Sequence, residues 1–520
     1  MKILRCVFLA VISVIMLFST SLAQAKTVLY IPADDRPVSL EYSVDTVKAA
    51  KFDIMTPPVE YLAGRGRLGD PEKLWQWLFD NCKQADAIVV SADSLIYGGL
   101  VDSRTHNFES YVLDWRMRRF NHLNEINPQA RVYVFSTVMR TPQASIGGVE
   151  PPYYEIYGPS IFLMTALQDK EEVKGLSSTE QKTLKAAIAA IPKDALEDWE
   201  KRRAKNLKIN EQLIAATKKG QFSYLIIGRD DTSPFSQSHK ESRLLSKVAA
   251  GLPASKYNSF PGADQLGMIM LVRAYNDLTL QIPIVQVEYS MGAGGTTVPS
   301  YEDQPIATTI NEHIIAAGGI VMTKPQKPDM VLAVNTPLNG ITLEAESISN
   351  ISAPSDGVCQ FVNSIEKFIK QGNKVAVADI AFANGADNSF MRALSDKHLL
   401  MALSSYSGWN TASNTLGYTI GQGMMARDMS DQDRKRLLAV RYLDDWAYQA
   451  NIRRELYYDT IYPNNGSLTN LSWLEPVLTQ RASEKIKLFA RKNLSDIPSE
   501  KVKVSFPWNR MFELTVVVEN

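Results

Sequence analysis

The sequence predicts an α/β protein made of two Rossmann-like lobes, doubly wound and mostly parallel, with a mainly helical cap at the C-terminal end. Three observations lead there. Short β-rich apolar runs alternate with helical patterns along most of the chain. The opening of one such set is echoed by the opening of a second. From Ser430 the alternation gives way to long helical patterns. A (β/α)8-type barrel over the first eight main strands, followed by a C-terminal domain, is the competing arrangement, and counting strands does not separate the two.

Residues 1–25 carry the order of an export signal. Lys2 and Arg5 supply a basic start, residues 6–18 are apolar apart from Ser13, and Ala23-Gln24-Ala25 has the small-x-small form at which signal peptidase cuts. The apolar run is shorter than the roughly 20 residues that span a bilayer, which favours cleavage over anchoring. Cys6 lies inside that run and not at the cleavage point, so no lipid anchor is expected. The processed chain then works outside the cytoplasm, secreted or periplasmic, with no stable membrane insertion.

The first α/β domain, residues 26–280, is read with strands at 27–31, 52–56, 87–91, 131–136, 224–228 and 257–260. Helices fall at 71–83, 109–125, 237–250 and 264–277, and the charged stretch 177–219 reads as one or two surface helices inserted before the fifth strand. The second α/β domain, residues 281–428, has strands at 283–289, 320–323, 330–335, 375–380 and 400–404. Both sets open alike: a helix, a short strand, then an Asp (Asp86 or Asp329) that begins a fully apolar strand. The cap, residues 429–520, has helices at 431–458 and 472–492 and closing strands at 502–506 and 512–518.

Hydrophobic residues make up 45% and charged residues 22% of the chain, a balance suited to a well-cored globular protein. Formal net charge is zero, so nothing favours nucleic acid or an anionic membrane as partner. Cys82 and Cys359 are the only cysteines beyond the signal. Export permits a disulfide between them and two free thiols are equally consistent, while neither sits in a metal or redox spacing.

In parallel sheets, open or closed, ligands bind beyond the carboxyl ends of the strands. Polar residues are dense there. The first strand is followed by Asp34-Asp35-Arg36-Pro37, the third by Asp93 and Tyr97 with Arg104 further on, and the fourth by Arg140. The fifth is followed by Arg229-Asp230-Asp231, with His239 in the next helix, and the sixth by Pro261-Gly262-Ala263-Asp264. In the second set Asn335 and Asp379 lie at strand ends, and the last strand runs into Tyr406, Trp409, Asn410 and Asn414. A single Asp after a strand is commonly just the N-cap of the next helix. Two Asp-Asp pairs flanked by Arg are a different matter, because adjacent carboxylates hold their protons unequally and so suit acid–base work.

Asp230 and Asp231 are therefore the first candidates for catalysis, and Asp34 and Asp35 the next. Candidate substrate contacts are Arg36, Asp93, Tyr97, Arg104, Arg140, Arg229, His239, Asp264, Trp409, Asn410 and Asn414. The arginines suit either pairing with these acids or gripping a substrate carboxylate or phosphate. Trp409 with Tyr406, set among Ser, Gly, Asn and Thr, reads as an exposed pair able to stack on a sugar face. Gly292-Ala293-Gly294-Gly295 lies too far from the next helix to cradle a phosphate. Without a G-x-G-x-x-G, Walker or paired-His pattern, no cofactor or metal is expected.

These segments together resemble the bacterial family labelled domain of unknown function 4127. The matching pieces are Asp34-Asp35-Arg36-Pro37, Tyr97-Gly98-Gly99-Leu100 with Ser103-Arg104, Asp230-Asp231 with Gln237, and Pro261-Gly262-Ala263-Asp264. Gly408-Trp409-Asn410-Thr411-Ala412, Asn414-Thr415-Leu416-Gly417 and Pro507-Trp508-Asn509-Arg510 continue the set. It is collinear over nearly the whole processed chain, with Ala33 and Ser233 as slight departures. The resemblance implies no particular reaction, so function is argued from the residues. They point to an exported hydrolase acting on a polar, chiefly carbohydrate, substrate through paired strand-end carboxylates. A non-catalytic glycan- or solute-binding protein and a carboxylate-metal hydrolase of esters or phosphates are the alternatives.

N-terminal sequencing of exported protein is expected to return Lys26, with the protein soluble without detergent. Recovery of intact Met1 from the membrane pellet would contradict this reading.

Overall fold

Six parallel strands form the first sheet of the computed structural model, which describes residues 26–143 and 148–519; the expected export signal lies outside them. They are β1 (Thr27–Ile31), β2 (Asp53–Met55), β3 (Ala87–Ser91), β4 (Arg131–Val138), β5 (Tyr224–Arg229) and β6 (Tyr257–Pro261), in the order β2-β1-β3-β4-β5-β6. A second parallel sheet is made of β7 (Ile284–Tyr289), β8 (Ile320–Val321), β9 (Met330–Asn335), β11 (Val375–Asp379) and β13 (Ser405–Ser407). Its order is β13-β11-β9-β7-β8, with β10 (Leu343–Glu344) and β12 (Phe382–Ala383) pairing beside it. Read from their first strands, the two sheets share one plan: each reverses direction of growth between its first and third strands, at β1/β3 and at β7/β9. Both sheets are open, which removes the barrel alternative.

Burial explains the strands. Every residue of β3, β5, β9 and β11 is buried, as expected for parallel strands covered by helices on both faces. Between the sheets run the helices Leu266–Leu278 and Ala412–Met425, and every residue of the latter is buried. One apolar cluster accordingly includes Val28, Tyr30 and Val89 of the first sheet together with Val285, Leu332 and Ala376 of the second. The helices approach closely because Gly417 and Gly421 face Gln265 and Met268. A Cβ on Gly417 would lie 2.2 Å from that of Gln265, and one on Gly421 would lie 2.5 Å from Met268 Cγ.

The C-terminal region is helical, closed by the antiparallel pair β14 (Val502–Ser505) and β15 (Thr515–Val518). Its helices Asp431–Arg441 and Glu475–Asn493 bury Leu438, Leu478 and Ile486 against β14 and the second lobe. It also reaches the first lobe, where the Tyr42 hydroxyl donates to the Leu514 carbonyl at 3.1 Å. The helix predicted over 431–458 is not regular: residues Tyr442–Ile452 and Tyr457–Ile461 form wide i→i+5 turns. Asp444 and Asp445 both pair with Arg441 there, at 3.0 and 3.2 Å, and Asp445 accepts from Gly408 N at 2.7 Å. The strand expected at 400–404 is displaced to β13, because Leu400 and Leu403 point into the core and leave extended pairing to the residues that follow. The charged insert forms helices Ser178–Ala189 and Lys193–Lys218, the first opened by a Ser177–Glu180 capping box. Cys82 is buried, Cys359 is exposed, and both are free thiols.

Gly417→Val is expected to cost about 1–3 kcal/mol by forcing the central helices apart. Because the core is shared, calorimetry of this variant should show one transition at lower temperature. Separate melting of the two lobes would contradict the shared core.

Candidate functional site

The loop after β1 begins with the fully buried Asp34. Arg36 folds back on it, donating from Nε at 2.9 Å and Nη2 at 2.7 Å, and Nη2 also reaches Asp264 Oδ1 beyond β6 at 2.6 Å. Asp264 in turn accepts from Asn410 Nδ2, beyond β13, at 3.1 Å. The other side of Arg36 faces Glu513 at 3.9 Å and the Trp508 ring at 5.5 Å. The Trp508 indole N–H donates to Asp35 Oδ1 at 2.7 Å, and Arg67 Nη2 donates to Asp35 Oδ2 at 2.7 Å. Arg36 thus ties the first lobe to the C-terminal segment, and Asp264 carries the link to the second lobe through Asn410.

A second acid–guanidinium group adjoins it. Arg104 Nη2 donates to Asp230 at 2.6 Å, and Arg140 Nη1 donates to Asp231 at 2.7 Å. Glu150 lies between the two arginines, 2.6 Å from Arg140 Nε and 3.5 Å from Arg104 Nη1. The charge of Asp230 acts on both Asp231 and Asp264, which places the two groups within electrostatic reach of each other. Asp230 is buried, whereas the Asp231 side chain keeps 25% of its exposure.

The loop after β7 closes the far side. Arg229 Nη2 donates to Asp303 at 2.8 Å, Thr232 N donates to the Tyr301 carbonyl at 3.1 Å, and Glu302 accepts from Ser413 N and Oγ at 2.6 and 2.7 Å. Tyr301, 44% exposed, donates its hydroxyl to Glu344 at 3.1 Å, and Asn384 Nδ2 donates to the same carboxylate at 2.7 Å. Asp231, Tyr301, Asn384 and Asn410 all have positive φ, at 34°, 68°, 59° and 62°. Asn and Asp tolerate that region and Tyr does not do so readily; such strain gathers at functional sites.

Burial holds several of these carboxyls above their ordinary range. Asp93 is pushed up to about 7 and Asp102 to about 6, in each case chiefly by desolvation. Glu302 is raised to about 7 by burial against the Ser413 donors. Asp231 is raised by burial, with Asp230 adding to the shift and Arg140 opposing it. Asp264 is raised by burial, opposed by Arg36. Among the described residues no group of three or more His, Cys, Asp or Glu is arranged to hold a metal ion; the strand-end acids are instead turned onto arginines.

Of the residues singled out in the sequence, Asp34, Asp35, Arg36, Arg104, Arg140, Arg229, Asp230, Asp231, Asp264 and Asn410 come together in these linked networks at the strand ends. Asp93 lies beneath them, accepting from the Thr137 hydroxyl at 2.8 Å. Four expectations fail. Trp409 and Tyr406 are buried, not exposed: Trp409 packs on Phe512 at 5.8 Å, and the Tyr406 hydroxyl donates to Asp379 at 3.1 Å. Tyr97 is buried and stacked on His106 at 4.7 Å. His239 contacts Asp169, 2.8 Å away on the helix Tyr154–Lys174, and none of the cleft acids. Asn414 is buried and accepts from Gln265 N at 3.3 Å, stitching the two central helices. Asn335 and Asp379 form a closed buried network with Asp387. Sequence reasoning missed Glu150, Tyr301, Glu344, Asn384, Trp508 and Glu513, none of which directly follows a main strand. The signal for Trp508 was present in the closing Pro507-Trp508-Asn509-Arg510 segment.

Fold and site together define a double Rossmann-like α/β protein with a largely buried acid–guanidinium network where the carboxyl edges of its two sheets meet. The chain belongs to the family described as protein of unknown function DUF4127, whose profile matches residues 28–517. No individually curated protein matches it.

Carboxyls raised in the folded state bind protons more tightly there than in the unfolded chain. Their contribution to stability is therefore full below about pH 4 and is lost as pH climbs through about 7. Thermal melts are expected to show this decline, and Asp93→Asn should flatten part of it. An unchanged slope in the variant would show that Asp93 does not titrate in this window.

Proposed function

We propose that the chain is an exported hydrolase that cleaves a polar, hydroxyl-rich substrate, in the first place a carbohydrate, with carboxyl groups as its acid and base. The observation that carries this reading is Asp231. It keeps part of its side chain open to the cleft, sits in a strained backbone conformation, and holds its proton more tightly than an ordinary Asp. A partly exposed carboxyl held above its ordinary range beside a second carboxylate suits general acid catalysis. Asp231 would protonate the leaving oxygen, while Asp230, held by Arg104, supports developing positive charge or orients water. The reading as a solute-capturing protein is weaker, because such proteins close about a hinge. Here both sheets share one core through a fully buried helix.

Release of reducing ends from a panel of oligosaccharides and chromogenic glycosides, with and without EDTA, tests the proposal. Asp231→Asn is expected to lower turnover by about 10²–10⁴-fold with little change in melting temperature. Asp230→Asn should lower both, because it loosens the buried Arg104. Turnover unchanged in Asp231→Asn would transfer the acid role to Asp34 or Asp35, and loss of wild-type turnover with EDTA would favour a metal-assisted reaction.

A further inference from the structure

The turn Gly64-Arg65-Gly66-Arg67 stands beside Asp35 at the edge of the cleft. Gly64 N donates to Arg67 O at 2.9 Å and Arg67 N returns the bond to Gly64 O at 3.0 Å. Gly66 sits at φ 66° with open space where a side chain would go. A Cβ on Gly64 would lie 2.5 Å from Asp35 Oδ2, so the turn is moulded onto that carboxylate. Arg67 also donates to the Val59 and Leu62 carbonyls, at 2.8 and 3.1 Å, and remains 41% exposed. From the other end of the chain, Arg510 lies over the Trp508 ring at 4.9 Å and pairs with Glu513.

Arg65 reaches the Thr469 carbonyl, and no carboxylate lies within hydrogen-bond reach of it among the described residues. Burial, and then the neighbouring Arg510, make Arg65 less ready to hold its charge. Three guanidinium groups thus share this rim with two carboxylates, of which Glu513 is buried behind it. Arg67 and Arg510 are each held by a carboxylate, so Arg65 is the guanidinium of the three without one, and a planar guanidinium fork matches an oxyanion.

We infer that Arg65, Arg67 and Arg510 bind an oxyanionic substituent of the substrate, so that the saccharide is an acidic one. The saccharide part of this statement rests on the hydrolase reading above; the oxyanion part does not.

Native gels cast with dextran, carboxymethyl-dextran, dextran sulfate or dextran phosphate test this with one backbone and three oxyanions. The protein is expected to be retarded by at least one charged polymer and not by dextran, and the polymer that retards it identifies the oxyanion. Arg65→Gln should weaken retardation about tenfold, the loss of one charge-assisted contact, and adding Arg67→Gln should weaken it further. Lys193→Gln, at a side chain 91% exposed elsewhere on the surface, should change nothing. Arg65 pairs with no carboxylate and gives up a single bond to the Thr469 carbonyl, so its variant should stay folded and melt close to the wild type. Equal retardation by dextran, no retardation by any charged polymer, or equal weakening by Lys193→Gln would overturn the inference. Retardation without release of reducing ends from any substrate would leave it standing and remove the hydrolase reading. Cleavage of neutral substrates alone, with no charged polymer bound, would do the reverse.

Discussion

The Arg36 guanidinium is the contact on which the rest of the site depends. It is buried, and a buried charge is tolerated only when its partners are complete and well placed. Its partners come from three places: Asp34 two residues away, Asp264 beyond the last strand of the first sheet, and Glu513 near the chain end. Removing any of them would strand charge in a low-dielectric interior. Asp264 also binds Asn410, which fixes the edge of the second sheet to the same point.

The apolar core enforces the same relationship from behind. The helices Leu266–Leu278 and Ala412–Met425 lie between the sheets and touch through glycines, so the lobes have no layer along which to slide. A cleft built this way is preorganised: its donors and acids are in place before a ligand arrives, and little reorganisation accompanies a reaction. The left-handed residues at its edges are held there by the contacts around them, as the Asn384 N–H on the Asn410 carbonyl at 2.9 Å illustrates.

Much of this was legible in the sequence, and the reasons are physical. Strands such as β3 and β9 are apolar throughout because both faces are covered, and each is announced by an Asp at its start. Strand-end acids such as Asp34, Asp230 and Asp264 follow from the geometry of parallel sheets, which needs no tertiary knowledge. Trp409 misled because its small polar neighbours look like a surface loop, although they cap a helix that is buried along its whole length. Strand β13 was misplaced because Leu400 and Leu403 resemble a strand in composition while serving as core plugs. Trp508 is 473 residues from Asp35, and no local pattern can announce a contact over that separation.

That distance has a consequence for how the protein comes into being. Asp35 and Arg36 leave the ribosome well before Trp508 and Glu513 do. Both lobes can gather their strands while the C-terminal segment is still being made, but the rim and the Arg36 cage remain unfinished until it arrives. The nascent chain therefore passes through most of its synthesis with the Arg36 cage incomplete. Completion of the polypeptide is itself the step that arms it.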